Sequence, residues 1–221
     1  MVGIVIPAYN EEKKVAQVVR SVIAIARPDF VVVVNDASDD NTAEVAVAAG
    51  AQVITHEINR GQGAALETGH EYARRLGADF VVDFDADGQF EPADIRPAID
   101  FLQKSTTDIL IGTRFGVGGN KIPFFKKYFL LPLARLFNRI FLGVKMSDAH
   151  NGFRVYTKRA LNEIFIRQDR MAHASEIPVL AHKAGLKLCE YPVRVYYHEY
   201  GQRLSGAVKI VGDLLMGKFI K

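Results

Sequence analysis

The first 111 residues alternate between short apolar runs and stretches whose apolar positions recur at helical spacing. Residues 3–7 form an apolar run that reads as a strand. From 11 to 26, Val15, Val18, Val19, Val22 and Ile23 share one face of a helix. Residues 30–34 are an almost unbroken β-branched run, the pattern of a strand covered on both sides. Residues 42–49 predict a short helix, 52–55 a strand, and 61–76 a helix entered through Gly61 and Gly63. A strand at 79–84, a helix from about 92 to 103 and a strand at 108–111 complete the series. Alternation at this spacing predicts an α/β protein, a mostly parallel sheet with helices on both faces. No repeat or low-complexity stretch interrupts it.

The second half is less regular. Residues 122–144 are apolar but broken by Lys126, Lys127, Arg135, Asn138 and Arg139, with Pro132 among them. Those charges make a poor transmembrane span. The segment reads as amphipathic helix with a basic edge and a Phe/Leu-rich face. That face can lie in a membrane interface, or dock on the core or on a second copy of the chain in a homodimer. Residues 214–221 pose the same choice over a shorter length. No stretch resembles an N-terminal signal peptide, since strand-like sequence begins at Gly3.

Composition narrows the picture modestly. The chain has 221 residues and 49% hydrophobic content, enough for one substantial core. Cys189, the single cysteine, rules out an internal disulfide framework and a cysteine-based zinc site, and fits a reducing, cytoplasmic setting. The net charge of +3 hides an asymmetry: residues 112–221 carry 19 Lys/Arg against 7 Asp/Glu, and residues 1–111 carry 9 against 18. A basic half suits a phosphate-bearing substrate or the anionic cytoplasmic face of a membrane. Nucleic acid is not expected, because the basic residues fall in no recognisable binding module.

Candidate chemistry gathers where predicted strands end. Asp85-Ala86-Asp87 follows the strand at 79–84, whose one polar interruption is Asp83. Carboxylates at the carboxyl end of a strand in an α/β sheet face the crevice where ligands bind. Two of them can hold Mg²⁺ or Mn²⁺ and leave coordination sites open for diphosphate oxygens. Pro7-Ala8-Tyr9-Asn10-Glu11 ends the first strand: Asn10 is a candidate helix cap, and Tyr9 and Glu11 are placed to touch a nucleotide. After the second strand, Asp40 or Asn41 suffices as a cap, leaving Asp36 and Asp39 as acceptors for a base N–H or ribose hydroxyls. Asn59-Arg60-Gly61-Gln62-Gly63 enters a helix with two glycines, which permits close backbone approach to a ligand.

Taken in order and spacing, these segments resemble family 2 glycosyltransferases of the GT-A fold. The match ends in Gly112-Thr113-Arg114-Phe115. The nearest subgroup is the dolichyl- and polyprenyl-phosphate sugar synthases with their soluble bacterial and archaeal relatives. The resemblance implies one GT-A domain over 1–221, with a nucleotide-sugar half (1–115) and an acceptor half (116–221). It implies inversion, a divalent metal at Asp85, Asp87 and Gln89, and base reading by Asp36. Pro7, Tyr9, Glu11, Asp39, Asn59, Arg60, Gly63, Asp85 and Arg114 become the sugar-donor-binding positions it implies, a UDP-sugar before a GDP-sugar.

The resemblance continues into the second half. Asp148-Ala149-His150-Asn151-Gly152-Phe153-Arg154 is similar to the family's D-x-x-S/C-G-F-R segment, with Asn151 in place of the small residue. Arg154 has two readings, a phosphate ligand or a surface salt bridge; His150 and His173 have likewise a ligand and a structural reading. Glu176 lies where the family carries an acidic residue near the acceptor, and also where a carboxylate suits a helix start. Asp87, Glu176 and Arg154 are thus the positions implied to serve the reaction. Residues 197–206 resemble the basic loop that closes over the diphosphate, with His198 and Arg203 as its cations. The acceptor is a polyprenyl phosphate or a glycan or lipid-linked hydroxyl, Glu176 acting as a base only in the second case. Two other classes stay open: a nucleotidyltransferase that makes the sugar nucleotide, and a non-catalytic nucleotide-binding subunit of a membrane complex.

Overall fold

A computed structural model describes residues 1–114, 148 and 151–196. Its strands are β1 (Val2–Ala8), β2 (Phe30–Asn35), β3 (Gln52–Thr55), β4 (Phe80–Asp83), β5 (Ile109–Thr113), β6 (Arg154–Thr157) and β7 (Leu188–Pro192). They form one sheet in the order β3-β2-β1-β4-β6-β5-β7. β6 alone is reversed: it pairs antiparallel with both β4 and β5, while β7 runs parallel to β5. The helices are α1 (Val15–Ala26), α2 (Thr42–Ala48), α3 (Gln62–Leu76), α4 (Ile95–Lys104), α5 (Lys158–Glu163) and α6 (His173–Lys183).

Strand periodicity builds a core on each side of the sheet. Ile4, Ile6, Val82, Leu110 and Val155 face α1, α2 and α4. Their alternates Val5, Val81, Ile109, Ile111 and Tyr156 face α3, α5 and α6. The expectation of a mostly parallel sheet covered on both faces is met. All seven residues of β1 are buried, as its central place requires. Burying each Val or Ile there stabilises the fold by about 1.5–3 kcal/mol.

One local reading is corrected. The first helix starts at Val15, not at Glu11, and Asn10 does not cap it. Asn10 has φ 55°, its N–H donates to Ser38 Oγ and its Oδ1 accepts the N–H of Asp39. The N–H groups of Glu11 and Glu12 donate to Thr42 Oγ1 and Asp40 Oδ2. Residues 10–12 are thus clasped to the loop after β2, which postpones the helix. β6, which the sequence did not predict, lies between β4 and β5, the strand expected at 108–111. No helix among the described residues is long and apolar enough to cross a membrane.

Candidate active site

The crevice opens where β1 and β4 part. Their pairing ends at Val5↔Asp83, closed by the Phe84 N–H on the Val5 carbonyl. Backbone groups alternate sides along a strand, so Pro7 directs its missing donor toward β4 just beyond that last bond. A proline in a central strand is tolerated because no ladder partner is there to lose. The gap it borders is the sheet's topological switch point, with β2 and β3 to one side and β4 to the other.

Asp85-Ala86-Asp87 turns off β4 into this gap. Phe84 packs edge-on against Phe90 and Phe153, an apolar brace under the turn. The Gln89 N–H donates to Asp87 Oδ1 at 2.9 Å, so the described contact of Gln89 is through its backbone. Asp85 Oδ1 accepts from Gln62 Nε2 at 2.9 Å. Its other oxygen lies on Gly152, where an added Cβ would fall 2.0 Å from Oδ2. Burial, then the negative charge of Asp87, push the Asp85 carboxyl up to about 7; Arg154 works in the opposite direction. Glu11 is also raised, first by burial, with Asp87 and Asp40 adding to it and Lys14 opposing. Asp87 therefore acts on both Asp85 and Glu11 at the mouth of the crevice.

This donor set fits a hard divalent cation. Asp85 and Asp87 offer oxygen ligands one residue apart, and among the described residues no third His, Cys, Asp or Glu completes a cluster with them. Mg²⁺ and Mn²⁺ are commonly held in this way, by one or two carboxylates with substrate phosphates and water filling the remaining positions.

The second wall of the crevice is built on Asp36. Its Oδ1 accepts the Arg60 N–H at 3.0 Å and faces His56 Nδ1 at 2.8 Å, and its Oδ2 accepts the Gly61 N–H at 2.6 Å. Asn59 Nδ2 donates to the Asp36 carbonyl. A carboxylate has about four acceptor sites, and three of these are occupied by the chain itself. Asp36, only 2% exposed, is thus first the anchor of the 56–61 loop. Asp39 and Tyr9 are exposed, and Arg60 pairs with Asp169 at 3.2 Å. The glycines of this loop make a close approach to the chain itself. A Cβ on Gly63 would fall 1.9 Å from the Gln168 carbonyl, and one on Gly61 2.8 Å from that of Asp169. Gly63 is therefore a packing contact between α3 and the 168–169 segment.

The second-half positions divide. Arg154 is 1% exposed, which excludes the surface salt bridge; it sits under the crevice, within the electrostatic reach of Asp85. Glu176 Oε2 accepts the N–H groups of Arg167 and Gln168, fixing the segment that packs on Gly63. That bond gives it an anchoring task at the start of α6, and its described contacts include neither Asp85 nor Asp87. Arg114 donates through N–H and Nε to Asp148 Oδ2, and Asn151 Nδ2 donates to the same oxygen. His173 is buried with Nδ1 on the Arg170 carbonyl at 2.7 Å. His150, His198, Arg203, residues 122–144 and the C-terminal tail lie outside the described residues.

Sequence reasoning missed Gln62, Gly152, His56 and the buried group around Asp83. Gly152 was within reach, since it stands in the quoted segment before Arg154. Asp83 was visible as a polar break in an apolar strand.

The model of glycosyl transferase family 2 matches residues 3–165. This chain belongs to that family. An uncharacterised protein of Methanocaldococcus jannaschii is 32% identical, covering 97% of this chain and 91% of that protein. The UDP-N-acetylglucosamine–dolichyl-phosphate N-acetylglucosaminyltransferase of Methanococcus voltae is 31% identical, covering 100% of this chain and 97% of that enzyme. Among solved structures, glucosyl-3-phosphoglycerate synthase from Mycobacterium tuberculosis, with Mn²⁺, UDP and phosphoglyceric acid, superposes with a TM-score of 0.71. It is 19% identical, and the match covers 98% of this chain and 78% of that one. The shared fold is GT-A.

Proposed function

We propose that this glycosyltransferase moves a sugar, with inversion, from a UDP-sugar to the phosphate of a polyprenyl phosphate, using Mg²⁺ or Mn²⁺. The observation that carries the reading is the convergence of Asp85, Asp87 and Glu11 at the carboxyl ends of β1 and β4. The full-length relative that acts on dolichyl phosphate supports the acceptor class, and the metal–UDP complex of the shared fold supports the cofactor.

Asp85 and Asp87 would hold the cation, which supplies charge neutralisation as the nucleoside diphosphate leaves. Gln62 and Gly152 keep Asp85 in one orientation, so little reorganisation is needed when charge develops. The 56–61 loop, fixed by Asp36, forms the nucleotide wall. A phosphate acceptor arrives already anionic and requires no general base. That agrees with a Glu176 carboxylate committed to two backbone N–H groups. A lipid acceptor also calls for contact with the cytoplasmic face of a membrane, to which the basic second half is suited.

The test incubates the chain with UDP- and GDP-sugars, polyprenyl phosphate vesicles, and Mn²⁺, Mg²⁺ or EDTA. Metal-dependent release of UDP with a sugar appearing on the lipid is the expected result. Release of pyrophosphate when UTP or GTP and a sugar 1-phosphate replace the sugar nucleotide would point to a nucleotidyltransferase, and no turnover in either mixture would remove the enzymatic reading.

A further inference from the structure

The layer between the sheet and α3 holds one fully buried polar island. Asp83, His70, Tyr156 and Arg154 lie there at 0–1% exposure. Register explains how they meet. Asp83 and Asp85 are two residues apart and emerge on one face of β4. Arg154 stands directly across from Asp83, and Tyr156 across from Val81, on the same face of β6. His70 comes down from α3, its ring edge-on to Tyr156 with centroids 4.8 Å apart.

The contacts within the island are uneven. Asp83 Oδ1 meets His70 Nε2 at 2.7 Å, and Asp83 Oδ2 accepts the Tyr156 hydroxyl at 3.0 Å. Burial holds the Tyr156 phenol well above its ordinary range, so it stays a donor. Arg154 Nη1 stands off at 4.0 Å from that same Oδ2, and its Nε and Nη1 have no hydrogen-bond partner. A buried guanidinium opposite a carboxylate normally closes a short, bidentate pair. Here each carboxylate oxygen already carries one short contact, from His70 or from Tyr156, that fixes its orientation. A buried ionic group of this sort is weak evidence for stability, since apolar residues of similar volume often serve as well or better.

We infer that Arg154 is a buried counter-ion for the Asp85 side of the crevice, and that His70 and Tyr156 are positioning residues that keep it there by occupying Asp83. With Asp83 restrained, the guanidinium charge remains available to Asp85 and to the anionic metal–diphosphate complex above it. If Asp83 Oδ2 were released, it would draw Arg154 down and away from the site. The inference rests on the proposed metal-dependent handling of a nucleoside diphosphate.

The experiment measures binding, not turnover: Mn²⁺ is titrated in the presence of UDP, and free Mn²⁺ is followed by electron paramagnetic resonance. Tyr156→Phe removes only the hydroxyl that holds Oδ2, and should weaken Mn²⁺–UDP binding about tenfold, the scale of a lost outer-shell partner. Adding Asp83→Asn to Tyr156→Phe removes the charge that attracts Arg154 and should restore binding to within about twofold of wild type. A purely structural role predicts the opposite, further damage in the double variant. Should Tyr156→Phe not be recovered folded, Asp83→Asn alone carries the test: tighter binding supports the inference, and unchanged or weaker binding overturns it. Equal binding by wild type and Tyr156→Phe overturns the inference and leaves the proposed function standing. No Mn²⁺–UDP binding by wild type overturns both.

Discussion

Asp85→Asn should make the metal-free protein more stable at neutral pH while removing the proposed metal site. The carboxyl is pushed from an ordinary 3.8 to about 7, chiefly by burial and next by Asp87. Between those two pH values the folded chain keeps a proton that the unfolded chain has lost. Wild-type stability therefore falls as pH rises through this window and is level above it. At about 1.4 kcal/mol per pH unit, the full gap is worth about 4 kcal/mol. The side chain keeps some solvent contact, and screening brings the expectation to about 2 kcal/mol. Asn preserves the bond from Gln62 and the fit against Gly152 but cannot ionise. Urea unfolding in EDTA should show wild type losing about 2 kcal/mol relative to Asp85→Asn from pH 4 to pH 8, nearly all of it below pH 7. Mn²⁺ with UDP should then restore wild type and leave the variant unmoved. Parallel stability curves for the two proteins in EDTA would refute the reasoning, because Asp85 would then carry no folding cost.

Other substitutions separate the remaining roles. Asp87→Ala should lower metal-dependent turnover by about a hundredfold or more with an intact circular dichroism spectrum; full activity would remove Asp87 from the metal site. Glu176→Gln keeps an acceptor oxygen for the Arg167 and Gln168 N–H groups, so turnover should stay within a few-fold of wild type. A loss of about 100-fold with unchanged melting would instead make Glu176 a base. Gly63→Ala places a methyl 1.9 Å from the Gln168 carbonyl and should cost about 1–3 kcal/mol in chemical denaturation; an unchanged midpoint would mean that the 167–170 segment does not rest on α3.

The early strands were legible because burial on both sides leaves no freedom in composition. The β-branched run of β2 and the apolar run of β1 can be little else. Asp85 and Asp87 were legible for the converse reason, as charges where an apolar strand has just ended. β6 was not. Four residues give no periodicity, and the partners of β6 lie more than 40 positions away in the chain. Arg154 shows the same limit: its segment is recognisable, yet whether the side chain turns outward or inward depends on α3 lying across that face. Asp36 reads in sequence only as an acceptor for a base or ribose, surplus to the local structure, whereas its described contacts anchor the 56–61 loop. Its engagement by His56, Arg60 and Gly61 depends on the path of the 56–61 loop, which spacing does not specify.

The reversal of β6 has a consequence for how the family can change. β5 runs toward the crevice and ends there at Thr113; β6, running the other way, begins at the same rim with Arg154; β7, parallel to β5, also finishes there at Pro192. The chain between β5 and β6, and the chain after β7, are therefore both attached at the rim of the crevice rather than at the far end of the sheet. Lengthening or replacing either one leaves every strand register as it is, at a loop-closure cost of only about 0.6 kcal/mol for each doubling in length. Either segment can thus be exchanged like a fitting on a fixed frame, while the 56–61 loop and the paired carboxylates stay untouched.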